Sequence, residues 1–174
     1  MPGGSLTEPA EVRWYAIRSR SRAEKEITRQ LDKQGIETFL PLATEMRVWS
    51  DRRKQVQLPL FPGYTFARID YSSSSRMQVL RARGVVGFVG VNGAGIPIPD
   101  EQIRDIRTVL GNNVPCTDHS YLKVGQRVRV RGGSLNGLEG ILVGQKGARN
   151  LIISVEPIQR SLSICIEGYQ VEAV

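Results

Sequence analysis

Apolar and polar positions change period several times along the chain, and each change marks an element. Trp14, Tyr15, Ala16 and Ile17 form a short, nearly continuous apolar run, the pattern of a buried strand. Arg18, Arg20 and Arg22 follow at alternate positions; then Ala23, Ile27 and Leu31 recur every four residues, as on one face of a helix. Ser21 with Glu24 three places on reads as a capping box for that helix, and Gly35 as its stop. Ile36 to Trp49 alternates loosely around Phe39, Leu40 and Leu42, and Gln55 to Ile69 resumes the β pattern. Between them Ser50-Asp51-Arg52-Arg53-Lys54 predicts a hairpin tip that projects three consecutive cations. Tyr71 to Ser75 suits the end of a strand and a helix cap; Arg76 to Arg83 then supplies a short helix with Met77 and Leu80 inward, ended by Gly84. Val85, Val86, Phe88 and Val89 predict a buried strand. Ile96-Pro97-Ile98-Pro99 leads into a helix from about Asp100, with Ile103, Ile106 and Leu110 on one side.

Gly111 to Tyr121 has no periodicity and combines Gly-Asn-Asn with a proline and the only histidine, His119, so it is expected to be a linker with a solvated histidine. Beyond it the texture is wholly β. Val128 and Val130 alternate, Gly132, Gly133, Gly137 and Gly140 mark turns, and Ile141–Val143, Leu151–Val155 and Leu162–Ile166 supply strands, a pattern that suits a small closed barrel. The chain therefore divides into a mobile tail at 1–11, an α+β domain at 12–110, a linker at 111–121 and an all-β domain at 122–174.

One stretch resists assignment to plain core or plain turn. Leu58 to Phe66 places Phe61, Tyr64 and Phe66 within six residues around Pro62-Gly63. Past Gly63 the alternation suits a strand, with Tyr64 and Phe66 on one face. Such rings either fill a core or line an apolar docking surface.

Composition narrows the function. Hydrophobic content of 40% and charged content of 24% are those of an ordinary globular protein. No apolar run is long enough to span a bilayer, and the N-terminus lacks a secretory pattern, so the expected location is the cytoplasm. Cys116 and Cys165 are too far apart in sequence for a zinc motif and are expected to be reduced thiols. The net charge of +7 calls for an anionic partner, most often nucleic acid. Residues 1–110 hold 17 Lys and Arg against 12 Asp and Glu, and residues 111–174 hold 7 against 5, so the first part carries most of the surplus. No phosphate-binding Gly-x-x-x-x-Gly-Lys loop, H-E-x-x-H motif or nucleophile elbow is present, which argues against an enzyme.

Taken in order, Trp14-Tyr15, Phe61-Pro62-Gly63-Tyr64, Gly84-Val85-Val86-Gly87-Phe88-Val89 and the KOW-like segment from Val124-Gly125 to Gly140 make a chain that resembles the NusG-type transcription elongation factors over residues 13–174. The resemblance implies an antiparallel sheet flanked by helices, joined by a flexible linker to a KOW domain folded as an SH3-like barrel, with no catalysis and neither cofactor nor metal. It implies that Phe61, Pro62, Tyr64 and Phe66, with Phe88 and Ala16 as neighbours, lie on the clamp helices of RNA polymerase's largest subunit. Ser75, Arg76 and Met77 fall where the family reaches the gate loop across the cleft. A bridge of this kind favours one clamp state and so resists pausing and termination.

Within the family the chain is more similar to the specialised antiterminators, the RfaH-like and capsule-operon regulators, on the strength of the Trp49–Lys54 hairpin and Leu58-Pro59-Leu60. That similarity implies Arg20 and Arg83 on the exposed non-template strand, and Arg52, Arg53 and Lys54 on upstream duplex phosphates. In the KOW turn, Gly133, Ser134 and Leu135, ahead of Gly140, stand where housekeeping members carry Gly-Pro-Phe. The missing aromatic counts against ribosomal protein S10 or Rho as partners. RfaH-like proteins can store this domain as a helical hairpin, but Leu162, Ile164 and Ile166 alternate with polar neighbours, so the barrel is expected at rest. The rival reading is a KOW-bearing RNA- or ribosome-binding module, whose aromatics would be solvated and interleaved with arginine on the same face.

Overall fold

The run Trp14–Ile17 is buried along its whole length because its strand is covered on both faces. A computed structural model describes residues 10–112, 116–120, 125–145, 148–166 and 169–174. In chain order the first part comprises β1 (Arg13–Ser19), α1 (Glu24–Lys33), β2 (Glu37–Phe39), β3 (Leu42–Trp49), β4 (Arg52–Pro59), β5 (Tyr64–Ile69), α2 (Ser73–Arg81), β6 (Val85–Phe88), the short β7 (Gly90–Val91), β8 (Ala94–Gly95) and β9 (Pro97–Ile98), and α3 (Asp100–Gly111). The second comprises β10 (Cys116–Ser120), β11 (Gln126–Arg131), β12 (Glu139–Gln145), β13 (Ala148–Val155), β14 (Arg160–Cys165) and β15 (Gln170–Ala173).

The first sheet runs β2-β5-β1-β6, with β9 also paired to β1, and its pairings are antiparallel. Register sorts its two faces. Ala16 lies opposite Phe66 and Arg18 opposite Tyr64, whereas Ile17 lies opposite Phe88, so Phe66 and Phe88 point to opposite sides. On one side Ile27 and Leu31 of α1 and Val79 of α2 pack with Tyr15, Ile17, Ala67 and Phe88. Burying each of these aliphatic side chains contributes about 1.5–3 kcal/mol.

The other side is closed by two elements. Ile103 and Ile106 of α3 pack on Trp14, Ala16, Phe61 and Phe66, and Val155 of β13 and Leu162 of β14 in the second sheet, with Ile158 from the 3-10 turn between them, join the same cluster. That sheet is antiparallel, in the order β10-β14-β13-β12-β11-β15, and its own core takes in Val109 of α3. Helix α3 therefore serves both cores: Ile103, Ile106 and the half-buried Leu110 face the first cluster, as the spacing predicts, and Val109 turns into the second. A cleft of about 850 Å³ lined by Glu101, Asp105, Arg127 and Glu139 remains beside it.

Several sequence expectations are corrected. Ser21 and Glu24 form no capping box: Ala23 is the cap residue, without a side-chain bond, because the Glu24 carboxylate is used elsewhere in the fold. Met77 and Leu80 are outward, 46% and 43% exposed; the short α2 buries Val79 instead and starts at a Ser72 cap. Val86 is 59% exposed, since β6 is buried on one face only. The stretch expected as a linker is not plain coil: α3 runs to Gly111 and Cys116–Ser120 pairs with β14, using backbone bonds that need no apolar pattern. The side chain of His119, the tail at 1–9 and Val124 lie outside the described residues. The alternation from Ser161 onward is strand, in β14 and β15.

Candidate functional site

Pro62-Gly63 forms a turn held from three directions. Gly63 has φ of 89°, a left-handed conformation in which glycine carries no steric cost. Its carbonyl accepts the Ser19 amide at 2.8 Å, and its amide donates to Oε1 of the buried Glu24 at 2.7 Å. The Tyr64 amide donates to the Phe61 carbonyl at 3.1 Å and closes the turn into β5. Sequence reasoning missed Glu24 as an anchor because the contact spans 39 positions.

The rings beyond the turn are not equivalent. Phe61 and Phe66 are buried, edge to face at 6.3 Å, and Phe66 lies 6.1 Å from Phe39, which meets Trp14 at 6.5 Å. Arg107 of α3 covers this group, its guanidinium 5.1 Å from the Trp14 ring and 5.0 Å from Phe39. Pro62 is exposed and Tyr64 half-buried, beside the exposed Arg18 on the same face. Ala16 is the buried floor beneath Phe66.

Phe88 belongs to a different assembly on the opposite face, which corrects its expected place beside Phe66. It packs edge-on against Tyr15 at 6.2 Å and Tyr71 at 5.3 Å, and those two tyrosines stack at 4.5 Å. Arg76 holds its guanidinium 5.1 Å from the Tyr71 ring. Ser75 donates its amide to Ser72 Oγ at 3.2 Å, and hydrogen bonds from Ser75 and Ser72 hold the Asp70 carboxyl below the usual range. Ser75, Arg76 and Met77 thus sit together on the first turns of α2, with Met77 exposed.

The expected nucleic-acid residues fall into two groups. Arg20 and Arg83, 63 positions apart, become neighbours because the Arg20 amide donates to the Gly84 carbonyl at 2.8 Å. Gln30 fixes the Arg83 backbone from both sides, accepting from its amide at 2.9 Å and donating to its carbonyl at 3.3 Å. Both arginines are exposed. Arg52, Arg53 and Lys54 are exposed too, but they lie in β4 and not on the turn, which is Ser50-Asp51. Arg52 pairs in register with Trp49, Arg53 with Val48 and Lys54 with Arg47, so the three cations do not share a face.

In the second sheet Leu135 is buried and Ser134 meets the Tyr169 hydroxyl at 3.0 Å. A Cβ on Gly133 would stand 3.0 Å from the Tyr169 ring, so the turn is packed closely against that tyrosine. Gly140 passes so close to β13 that a Cβ would lie 2.5 Å from the Ile152 carbonyl. Among the described residues no cluster of His, Cys, Asp and Glu could hold a metal, and no helix is long and apolar enough to cross a membrane.

Residues 12–107, most of the first part of the chain, match the family model described as NusG, transcription termination factor nusG. The chain belongs to the NusG family. Curated NusG-family relatives include the transcription termination/antitermination proteins NusG of Staphylococcus epidermidis and Staphylococcus aureus, each 27% identical over 95% of this chain and 97% of its own length. Among solved structures, a Thermotoga maritima NusG studied for its domain interaction superposes with a TM-score of 0.53 at 19% identity, covering 96% of this chain and 99% of that one. The NusG match ends within α3, so the second sheet enters through the full-length relatives and not through the family model.

Proposed function

We propose that the chain is an elongation and antitermination factor that bridges the clamp and gate loop of RNA polymerase and touches DNA of the transcription bubble. The observation that carries this reading is the gathering of the rings around Pro62-Gly63: Phe61, Phe66, Phe39 and Trp14 form one apolar group capped by Arg107, and Pro62 and Tyr64 are its accessible edge. A base-stacking module would carry solvated rings among arginines; of the rings around Pro62-Gly63 only Tyr64, beside Arg18, has that character. Pro62 and Tyr64 dock on the clamp helices, with Phe61, Ala16 and the buried Phe66 as supporting floor. Ser75, Arg76 and Met77 reach the gate loop from α2. Phe88 supports α2 through Tyr71 and is removed from the docking set.

Arg20 and Arg83 form one basic point, for the displaced DNA strand, and the cations of the β3–β4 hairpin a second, for phosphates of the upstream duplex. The second sheet is a KOW domain of the specialised type. Its Gly133-Ser134-Leu135 turn presents no ring of its own, which favours a partner other than ribosomal protein S10 or Rho.

Tyr64→Ala tests the docking. Tyr64 is half-buried and outside the fully packed core, so the variant is expected to fold and to bind polymerase about 30-fold more weakly, the effect of losing a hot spot of about 2 kcal/mol. Unchanged affinity in a folded variant, measured by titration against core polymerase, removes the docking surface.

A further inference from the structure

The β3–β4 hairpin forms a two-stranded sheet of its own, anchored at its base and bare beyond it. Ala43 packs against the first core, and Lys25 Nζ donates to the Gln57 carbonyl at 2.9 Å. From Thr44 to Gln55 every residue is exposed. At about 3.3 Å per residue this makes an arm roughly 20 Å long. Near its end stands Trp49, 71% exposed, a large apolar ring left in water.

Register assigns each side chain to a face. Trp49 and Arg52 are paired, as are Arg47 and Lys54, and these four share one side of the arm; Val48 with Arg53 and Met46 with Gln55 take the other. Among the described residues Arg52 and Lys54 have no carboxylate partner, and Arg47 has only Glu45 at 3.9 Å. One face therefore offers a flat indole surrounded by three cations with little to neutralise them. A duplex keeps its bases stacked inside, so the indole would gain nothing there; an unpaired strand offers a base face for the ring and phosphates for the cations.

We propose that the Trp49 face of the β3–β4 arm is a binding site for unpaired nucleic acid, in which a base stacks on Trp49 while Arg52, Lys54 and Arg47 hold the flanking phosphates. This deepens the reading of the arm as a DNA contact, on which it rests, and replaces the duplex with a single strand. Arg53, on the opposite face, takes no part in the stacking.

The full chain is titrated at low salt with single-stranded dT12, single-stranded rU12 and a 12-base-pair duplex, without polymerase. In a Trp14→Phe background, Trp49 is the remaining tryptophan and its emission should be quenched by the single strands. Trp49→Ala should weaken single-strand binding by about 5- to 100-fold with its salt dependence unchanged, Trp49→Phe should recover most of the loss, and duplex binding should stay the same. Arg52→Glu should lower the salt slope where Arg53→Glu does so less. A preference for dT12 over rU12, or the reverse, assigns the strand's source within the proposal. Equal losses for single strand and duplex, no loss at all, or quenching that follows self-association in sedimentation instead of added oligonucleotide would each overturn it. Because polymerase is absent, failure here leaves clamp docking standing, and failure of the Tyr64→Ala test leaves this site standing.

Discussion

At the scale of single residues, Glu24 shows a carboxylate whose use is set by distance in space. Its sequence neighbour Ser21 and the helix start suggest a local cap, but one carboxylate oxygen is committed to the Gly63 amide at 2.7 Å. A buried donor without a partner costs about 1–3 kcal/mol. Glu24→Leu is therefore expected to lower unfolding free energy by about that amount, whereas Glu24→Gln, which keeps an acceptor oxygen, should lose much less. Urea denaturation with an unchanged slope would read the difference. Equal losses for both variants would mean that the charge matters and the acceptor does not.

Among the elements, α3 and the β3–β4 arm show how far periodicity carries. The three-four spacing of Ile103, Ile106 and Leu110 foretells one apolar face but not that the same helix turns Val109 into a second core. Packing against the second sheet also sets the chemistry of Asp105. Burial, with Glu139 and Glu101 nearby and Arg104 opposing, pushes its carboxyl from 3.8 up to about 6. Between those values the folded chain holds a proton that the unfolded chain has lost, so stability should fall as pH rises through that window and level off above it. Asp105→Asn should flatten this slope in denaturation measured from pH 4.5 to 7. The hydrogen-bonded or ion-paired carboxyls of Glu26, Asp70, Glu139 and Glu172 are shifted the opposite way, and their contributions fade only in stronger acid.

For the whole molecule the decisive feature is that Val155, Ile158 and Leu162 of the second part lie in the same cluster as Phe66 and Trp14. A docking face covered in this way binds a partner only in the fraction of molecules that has opened, and its apparent affinity is reduced by that fraction. Ile158 belongs to this shared cluster and not to the second sheet's own core. Ile158→Asp should leave the packing within each part of the chain intact while weakening the cover between them, and polymerase affinity should rise about 3- to 10-fold. Unchanged or weaker binding, measured in the same titration as Tyr64→Ala, would show that the cover does not restrain docking.

Much of this was legible in the chain because strands and helices answer to local spacing. Trp14–Ile17, Ala23–Leu31, the cation-bearing hairpin and the alternating Leu162, Ile164 and Ile166 announce their elements within a few residues, and the order of those elements carries the family. Which face each ring occupies was not legible, since Phe66 and Phe88 have the same chemistry and are separated by register, one opposite Ala16 and the other opposite Ile17. The division of Arg52, Arg53 and Lys54 between two faces likewise depends on whether they lie on a turn or on a strand, one residue of shift being enough to exchange the sides. Sequence determined what the elements are, because propensity and periodicity act along the chain. Tertiary structure alone decided what covers them, because burial depends on contacts between residues as distant as Phe66 and Leu162.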